Sequence, residues 1–136
     1  MSGFIYLCIV TVFLLAGCGE PKLDYPRRAI PDGIRQSQQG LDWAAETFRK
    51  KCAYCHGHES EGRGPRADFF VPPAPDFHES KYRSADPAYL YWRIEDGKTV
   101  EPFLSKGSVM PAWGAHLKER EIWFLVAYLQ QRASIN

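Results

Sequence analysis

Two cysteines two residues apart, followed at once by a histidine, stand in Lys51-Cys52-Ala53-Tyr54-Cys55-His56-Gly57. That spacing suits covalent attachment of a c-type haem. Each thiol adds to one vinyl group, so the two sulfurs must reach opposite sides of one porphyrin edge. The next residue then lies under the iron and offers an imidazole nitrogen as proximal ligand. Two other chemistries use similar residues. A zinc site would draw on Cys52, Cys55 and two of His56, His58, His78 and His116. Structural zinc motifs usually put a loop between the Cys pair and the His pair, and this chain has no second Cys pair. A thioredoxin-like redox pair expects a preceding strand in a βαβ setting, whereas the residues before Cys52 carry a helical pattern.

A haem iron has a second axial position. The candidates are Met110, His58, His78 and His116, or no protein ligand at all. His58 is two residues from His56 and cannot reach the opposite haem face. His78 and His116 stay open on spacing alone, although a lone surface histidine is more often solvated. A lone methionine is usually core filler. Met110, however, sits in the loop Met110-Pro111-Ala112-Trp113 just before the last helical pattern, where a thioether can ligate iron. His and Met together leave no open site for substrate, and the thioether favours Fe(II). That pairing suits one-electron transfer. Without Met110 the alternative is a haem enzyme or gas-binding protein with an open distal site. A dihaem enzyme is disfavoured by the single attachment motif.

The elements that must position these residues read as helices. Leu41, Ala44, Ala45, Phe48 and Cys52 follow one helical face, predicting a helix over Leu41 to Cys55 that delivers the motif at its end. Glycines and prolines between Glu59 and Pro75 predict a loop. Asp86-Pro87 supplies an N-cap and a first-turn proline for a second helix stopping near Gly97. Thr99 to Gly114 is a second loop. A last helix covers about Lys118 to Arg132, with Ile122, Leu125, Val126 and Leu129 as its apolar stripe. Its N-cap is poor, and Arg132 near its end suits the helix dipole. No strand pattern or internal repeat is evident.

The 136 residues, 45% hydrophobic and 24% charged, suit one soluble domain. A formal net charge of +1 gives no sign of a nucleic-acid partner. Phe4 to Ala16 is almost continuously apolar but short for a bilayer span of about 20 residues. It ends in Leu15-Ala16-Gly17-Cys18, which resembles the lipobox of bacterial lipoproteins, where the cysteine is lipidated and becomes the first mature residue. An uncleaved anchor is the alternative. Either places the domain on the far side of the membrane, facing the periplasm or cell exterior. Cys8 falls in the same apolar stretch, so no disulfide framework is implied. The expected division is a signal peptide over 1–17, a lipidated Cys18 with an extended arm over 18–39, and a domain over 40–136. The arm reads either as a spacer or as a strap that lies on a partner subunit through Tyr25, Arg27, Arg28 and Ile30.

From about Gly40 to Arg132 the chain resembles the class I monohaem cytochromes c. The resemblance rests on Cys52, Cys55 and His56, the Met110-Pro111-Ala112-Trp113 loop, Phe48 and Ala44 ahead of the motif, Leu125 with Tyr128 in the last helix, and Ile94-x-x-Gly97-Lys98. The stretch Glu59-Ser60-Glu61-Gly62 has one glycine fewer than is usual there, and the Thr99 to Val109 loop is longer than in compact members. The resemblance implies an all-α fold, three main helices and long loops around one covalent haem c, with His56 and Met110 on the iron. It also implies a proline carbonyl bound to the His56 ring N–H, best matched by Pro75 and next by Pro65. Arg63, Arg66, Tyr82, Arg93 and Trp113 are candidates for the haem propionates. The expected role is a membrane-tethered electron carrier or the cytochrome subunit of a respiratory complex. Lys50, Lys51 and Lys98 are candidates for steering its redox partner.

Overall fold

The computed structural model describes residues 23–64, 66–101 and 103–134. The proposed signal segment, Cys8, Cys18 and Pro65 lie outside them. The described chain is all-helical, with no strand among the described residues: α1 is Gln38–Lys51, α2 Ala53–His56, α3 Pro87–Glu95 and α4 Glu119–Arg132. Long loops between them carry three single 3-10 turns, at Ala67–Phe69, Ser80–Tyr82 and Leu104–Lys106.

α1 starts three residues earlier than its apolar pattern predicts. Ser37 caps it, its hydroxyl accepting from the Gly40 N–H at 3.1 Å. Such a cap is worth about 1 kcal/mol. The buried stripe is Gly40, Ala44, Thr47 and Phe48, with Leu41 and Ala45 at its half-buried margin. The face is therefore rotated slightly from the predicted one, because α4 lies directly on the small residues. Ala44 is fully buried, and a Cβ on Gly40 would fall 2.1 Å from the Phe124 ring of α4. A bulky residue at Ala44 would force these helices apart at a cost of about 1–3 kcal/mol. One turn on, the rings of Phe48 and Tyr128 lie 5.4 Å apart.

α3 has the predicted cap, with the Asp86 carboxylate accepting from Ala88 N–H at 2.9 Å and Pro87 in the first turn. It packs on α4 through Tyr91 and Trp123, whose rings are 4.4 Å apart. α4 has a better start than its sequence suggests: Glu121 reaches back to accept from the Lys118 N–H at 2.7 Å. That is half of a capping box, set by the third helical residue rather than by the cap.

The arm corrects an expectation. It does not remain free up to Gln39, since Gln38 and Gln39 belong to α1. Residues 23–36 lie back over the chain's own helices. The Tyr25 ring stacks on Trp92 at 5.5 Å, and its hydroxyl donates to Asp86 at 2.8 Å. Arg27 joins the same carboxylate at 3.0 Å, and Arg28 pairs with Glu95 at 3.0 Å over the Tyr91 ring. Ile30 packs on the core and Ile34 is 1% exposed. The side chains expected to grip a partner are thus engaged within the chain. A covalently linked surface is always at high effective concentration, so complementary groups there are met first.

Candidate functional site

The α1–α2 junction places Cys52, Cys55 and His56 on one face of a turn, as the i, i+3, i+4 spacing requires. They open onto a cleft of about 310 Å³, walled by the loop through Phe70 to Phe77, by α3, and by the loop Ser108 to Trp113. Deeper in, Phe48, Leu117, Leu125 and Leu129 give it an apolar floor. Burial pushes the Cys52 thiol up to about 12, with Cys55 adding to the rise and Lys51 opposing it. Burial raises the Cys55 thiol too. Neither thiol is in a disulfide.

His56 is buried, and its Nδ1 lies 3.2 Å from the Pro75 carbonyl. A carbonyl only accepts, so the ring proton is on Nδ1 and Nε2 keeps its lone pair for a metal. Burial lowers the pKa of the imidazole, the Pro75 bond opposes that, and the charges of Lys98 and Arg132 lower it further. The lowered pKa favours the neutral imidazole, which is the ligating form. The ring of Phe77 supports it at 4.8 Å.

Met110 lines the same cleft, half-buried against the core. Its loop is stitched to the end of α3. Lys98 N–H donates to the Met110 carbonyl at 3.0 Å, Trp113 N–H to Ile94 at 3.0 Å, and Gly114 N–H to Glu95 at 2.9 Å. Gly97 permits this closeness, with φ +64° and the Met110 and Pro111 carbonyl oxygens 2.5 and 2.6 Å from where a Cβ would stand. The rival histidines are elsewhere. His78 has its ring nitrogens at 3.2 Å from the Asp76 carboxylate and 2.9 Å from the Glu59 carbonyl, clasping the loop that follows the motif. His58 and His116 are exposed, and neither lines the cleft. Among the described residues, no group of three His, Cys, Asp or Glu is placed to hold a metal ion, which leaves the zinc reading without a site.

Of the other expected contacts, Pro75, Tyr82, Arg93 and Trp113 line the cleft. Arg63 and Arg66 do not. Arg63 is drawn to Asp68 at 3.0 Å, and Arg66 hydrogen-bonds the Tyr54 hydroxyl, both at the surface. Arg63 is thus held by a partner outside the cleft, whereas Arg66 is held by Tyr54, a residue of the cleft wall. Arg93 is different. It is 5% exposed, and Nε, Nη1 and Nη2 are all buried without a hydrogen-bond partner. Trp92 and Phe103 sandwich it at 3.3 and 4.4 Å. Burial lowers its pKa. A buried guanidinium with five idle donors is costly unless an anion meets it.

Two residues escaped the sequence reading. Lys98, expected to lie at the surface, is half-buried in the cleft, its pKa lowered by burial and then by Arg93. Arg132, taken as a helix-end cation, has 0% exposure and donates to the turn after His56. A signal was present for it: Leu125, Leu129 and Arg132 share one helical stripe.

The thiol pair, the Nε2 lone pair, a thioether, a largely apolar cleft and an unpartnered guanidinium together fit a haem with carboxylate side chains. Residues 40–129 match the family model described as cytochrome c oxidase, cbb3-type, subunit III. Among solved structures the chain is similar to a reducing HAO-like protein complex of Kuenenia stuttgartiensis. The TM-score is 0.56 at 24% identity, over 83% of this chain and 52% of that one. The chain spans about half the length of that relative, and the likeness is one of fold. No curated protein matches the sequence.

Proposed function

The chain belongs to the cytochrome c family of cbb3-type oxidase subunit III, and from that premise we propose that Cys52, Cys55, His56 and Met110 hold one haem c for one-electron transfer. When bound, the haem supplies the redox couple. The protein's residues do the rest. Cys52 and Cys55 provide the two thioether sulfurs. His56 keeps its proton on Nδ1 for Pro75, which leaves the Nε2 lone pair that would ligate the iron. Met110 would hold the iron through its thioether and so keep other ligands off. Arg93 would hold a propionate carboxylate, with Lys98 adding a second positive charge. The apolar floor excludes water, so the site changes little between oxidation states.

One observation carries this reading: His56 and Met110, held by separate segments, line one cleft with both thiols, while the other histidines face elsewhere. Cys52→Ala with Cys55→Ala is expected to abolish haem that survives denaturing electrophoresis. Met110→Ala is expected to lower the reduction potential and admit carbon monoxide to the reduced iron. A Met110→Ala protein with unchanged spectrum and potential would refute the methionine assignment.

In the same reading Cys18 carries a lipid, and the domain works outside the cytoplasm as a tethered carrier or a respiratory-complex subunit. The support is Leu15-Ala16-Gly17-Cys18 after the apolar run. Among the described residues no helix is long and apolar enough to cross a membrane. Palmitate labelling should mark the wild type and miss Cys18→Ser; equal labelling would rule the lipid site out. Co-purification after detergent extraction separates a fixed subunit from a free carrier.

A further inference from the structure

Arg132 closes α4 with no exposed surface at all. No carboxylate pairs with it among the described ion pairs. Its Nη2 donates to the carbonyls of Gly57 at 3.1 Å, His58 at 2.6 Å and Glu61 at 3.1 Å. All three belong to the turn that leaves His56. α2 is four residues long, and carbonyls at a helix end otherwise need water or a cap. The remaining nitrogens, Nε and Nη1, are buried without a partner. The guanidinium carbon stands 4.8 Å from the Phe48 ring centre, and Phe48 flanks the His56 ring at 6.3 Å. Arg132 does not line the cleft, so it cannot serve as a propionate partner.

Satisfying three carbonyls does not by itself call for a full buried charge. A cation without a counter-ion is expensive in such a place, and carbonyl dipoles and the helix C-terminus offset it only in part. What the charge does supply is a fixed positive potential behind the imidazole, in a region of low dielectric.

We propose that Arg132 is a positioning residue for the redox centre: its charge favours the reduced form, and its fork clamps the turn that holds His56. The inference rests on the assignment of His56 as a haem ligand. The ferric centre carries one more positive charge than the ferrous one, so a nearby buried cation disfavours the ferric form. Removing that cation must lower the potential even if no ligand moves.

The test compares Arg132→Met and Arg132→Lys in the haem-loaded full chain. Arg132→Met keeps the stem's bulk and removes the charge. It should lower the midpoint potential while the His–Met absorption spectrum stays intact. Arg132→Lys keeps the charge and loses the fork. It should hold most of the potential, yet speed amide exchange at His58 and Glu61 several-fold. Arg132→Gln replaces Arg132→Met if the latter fails to fold. A wild-type potential in the uncharged variant would overturn the proposal. So would an Arg132→Lys potential as low as that of the uncharged variant, because geometry would then be the cause. A wild type without covalent haem would instead overturn the proposed function, and haem stain on the same samples tells the two failures apart.

Discussion

Replacing Gly97 with alanine asks whether the end of α3 holds Met110 in place. Two costs follow from the structure. The residue sits at φ +64°, where a side chain costs about 1–2 kcal/mol. The new Cβ would also stand 2.5 Å from the Met110 carbonyl oxygen and 2.5 Å from the Pro111 carbonyl carbon. Both are backbone atoms, so no side-chain rotation relieves the collision. The loop must retreat by about 1 Å to reach ordinary van der Waals contact. That retreat breaks the 3.0 Å bond from Lys98 N–H to Met110, worth about 1 kcal/mol. The sum is roughly 2–3 kcal/mol, and it falls on the segment that carries the thioether. If all of it acts on the iron–sulfur bond, the open form becomes about 30- to 150-fold more populated. Denaturant unfolding of the haem-loaded protein measures the total, and carbon monoxide binding to the reduced protein measures the share at Met110. Gly33→Ala is the control. Gly33 has φ +79° but nothing within 4 Å of the added atom, so it should lose stability without admitting carbon monoxide. A Gly97→Ala protein within about 0.5 kcal/mol of wild type and closed to carbon monoxide would refute the reasoning.

Other outcomes follow from the same contacts. Arg93→Met should cost the haem-loaded protein about 1.5–3 kcal/mol, the worth of a hydrogen bond to a charged group; an unchanged denaturant midpoint would remove Arg93 as the carboxylate partner. Tyr25→Ala should lose about 1–2 kcal/mol from the Trp92 stack and the Asp86 bond, read from the same unfolding curves. The Tyr25–Asp86 contact also has a pH window. The Tyr25 hydrogen bond lowers the Asp86 pKa, so its contribution is complete above the ordinary carboxylate value of 3.8 and is lost as pH falls through the depressed folded value. The same bond raises the Tyr25 pKa, so its contribution is complete below 10.0 and is lost as pH rises through the elevated folded value. Wild type and Tyr25→Phe should therefore differ most between these limits and converge outside them, as monitored by thermal unfolding against pH.

The helices were legible because their signals are local. Asp86-Pro87 marks the start of α3, and the stripe of Ile122, Leu125, Val126 and Leu129 marks the buried face of α4. The start of α1 was missed because Ser37 lies before the apolar pattern and acts through one cap bond. The contacts of the arm were not legible for another reason. Tyr25, Arg27 and Arg28 find partners 61, 59 and 67 residues away, and no local pattern reports a distance of that kind.

Cys52, Cys55 and His56 were singled out by the sequence alone, since the chemistry proposed for them is written in a spacing of a few residues. Met110 was nominated by its loop, but only the tertiary structure placed it in the cleft with His56 and sent His78 to Asp76 and Glu59. The arginines show the division most clearly. On the sequence Arg63, Arg66, Arg93 and Arg132 are equal cations. In the fold, Arg63 and Arg66 meet surface partners, while Arg93 and Arg132 are buried with guanidinium nitrogens that have no hydrogen-bond partner. A residue's type is a covalent property, whereas the dielectric around it and the partner within its reach are properties of the whole packed chain.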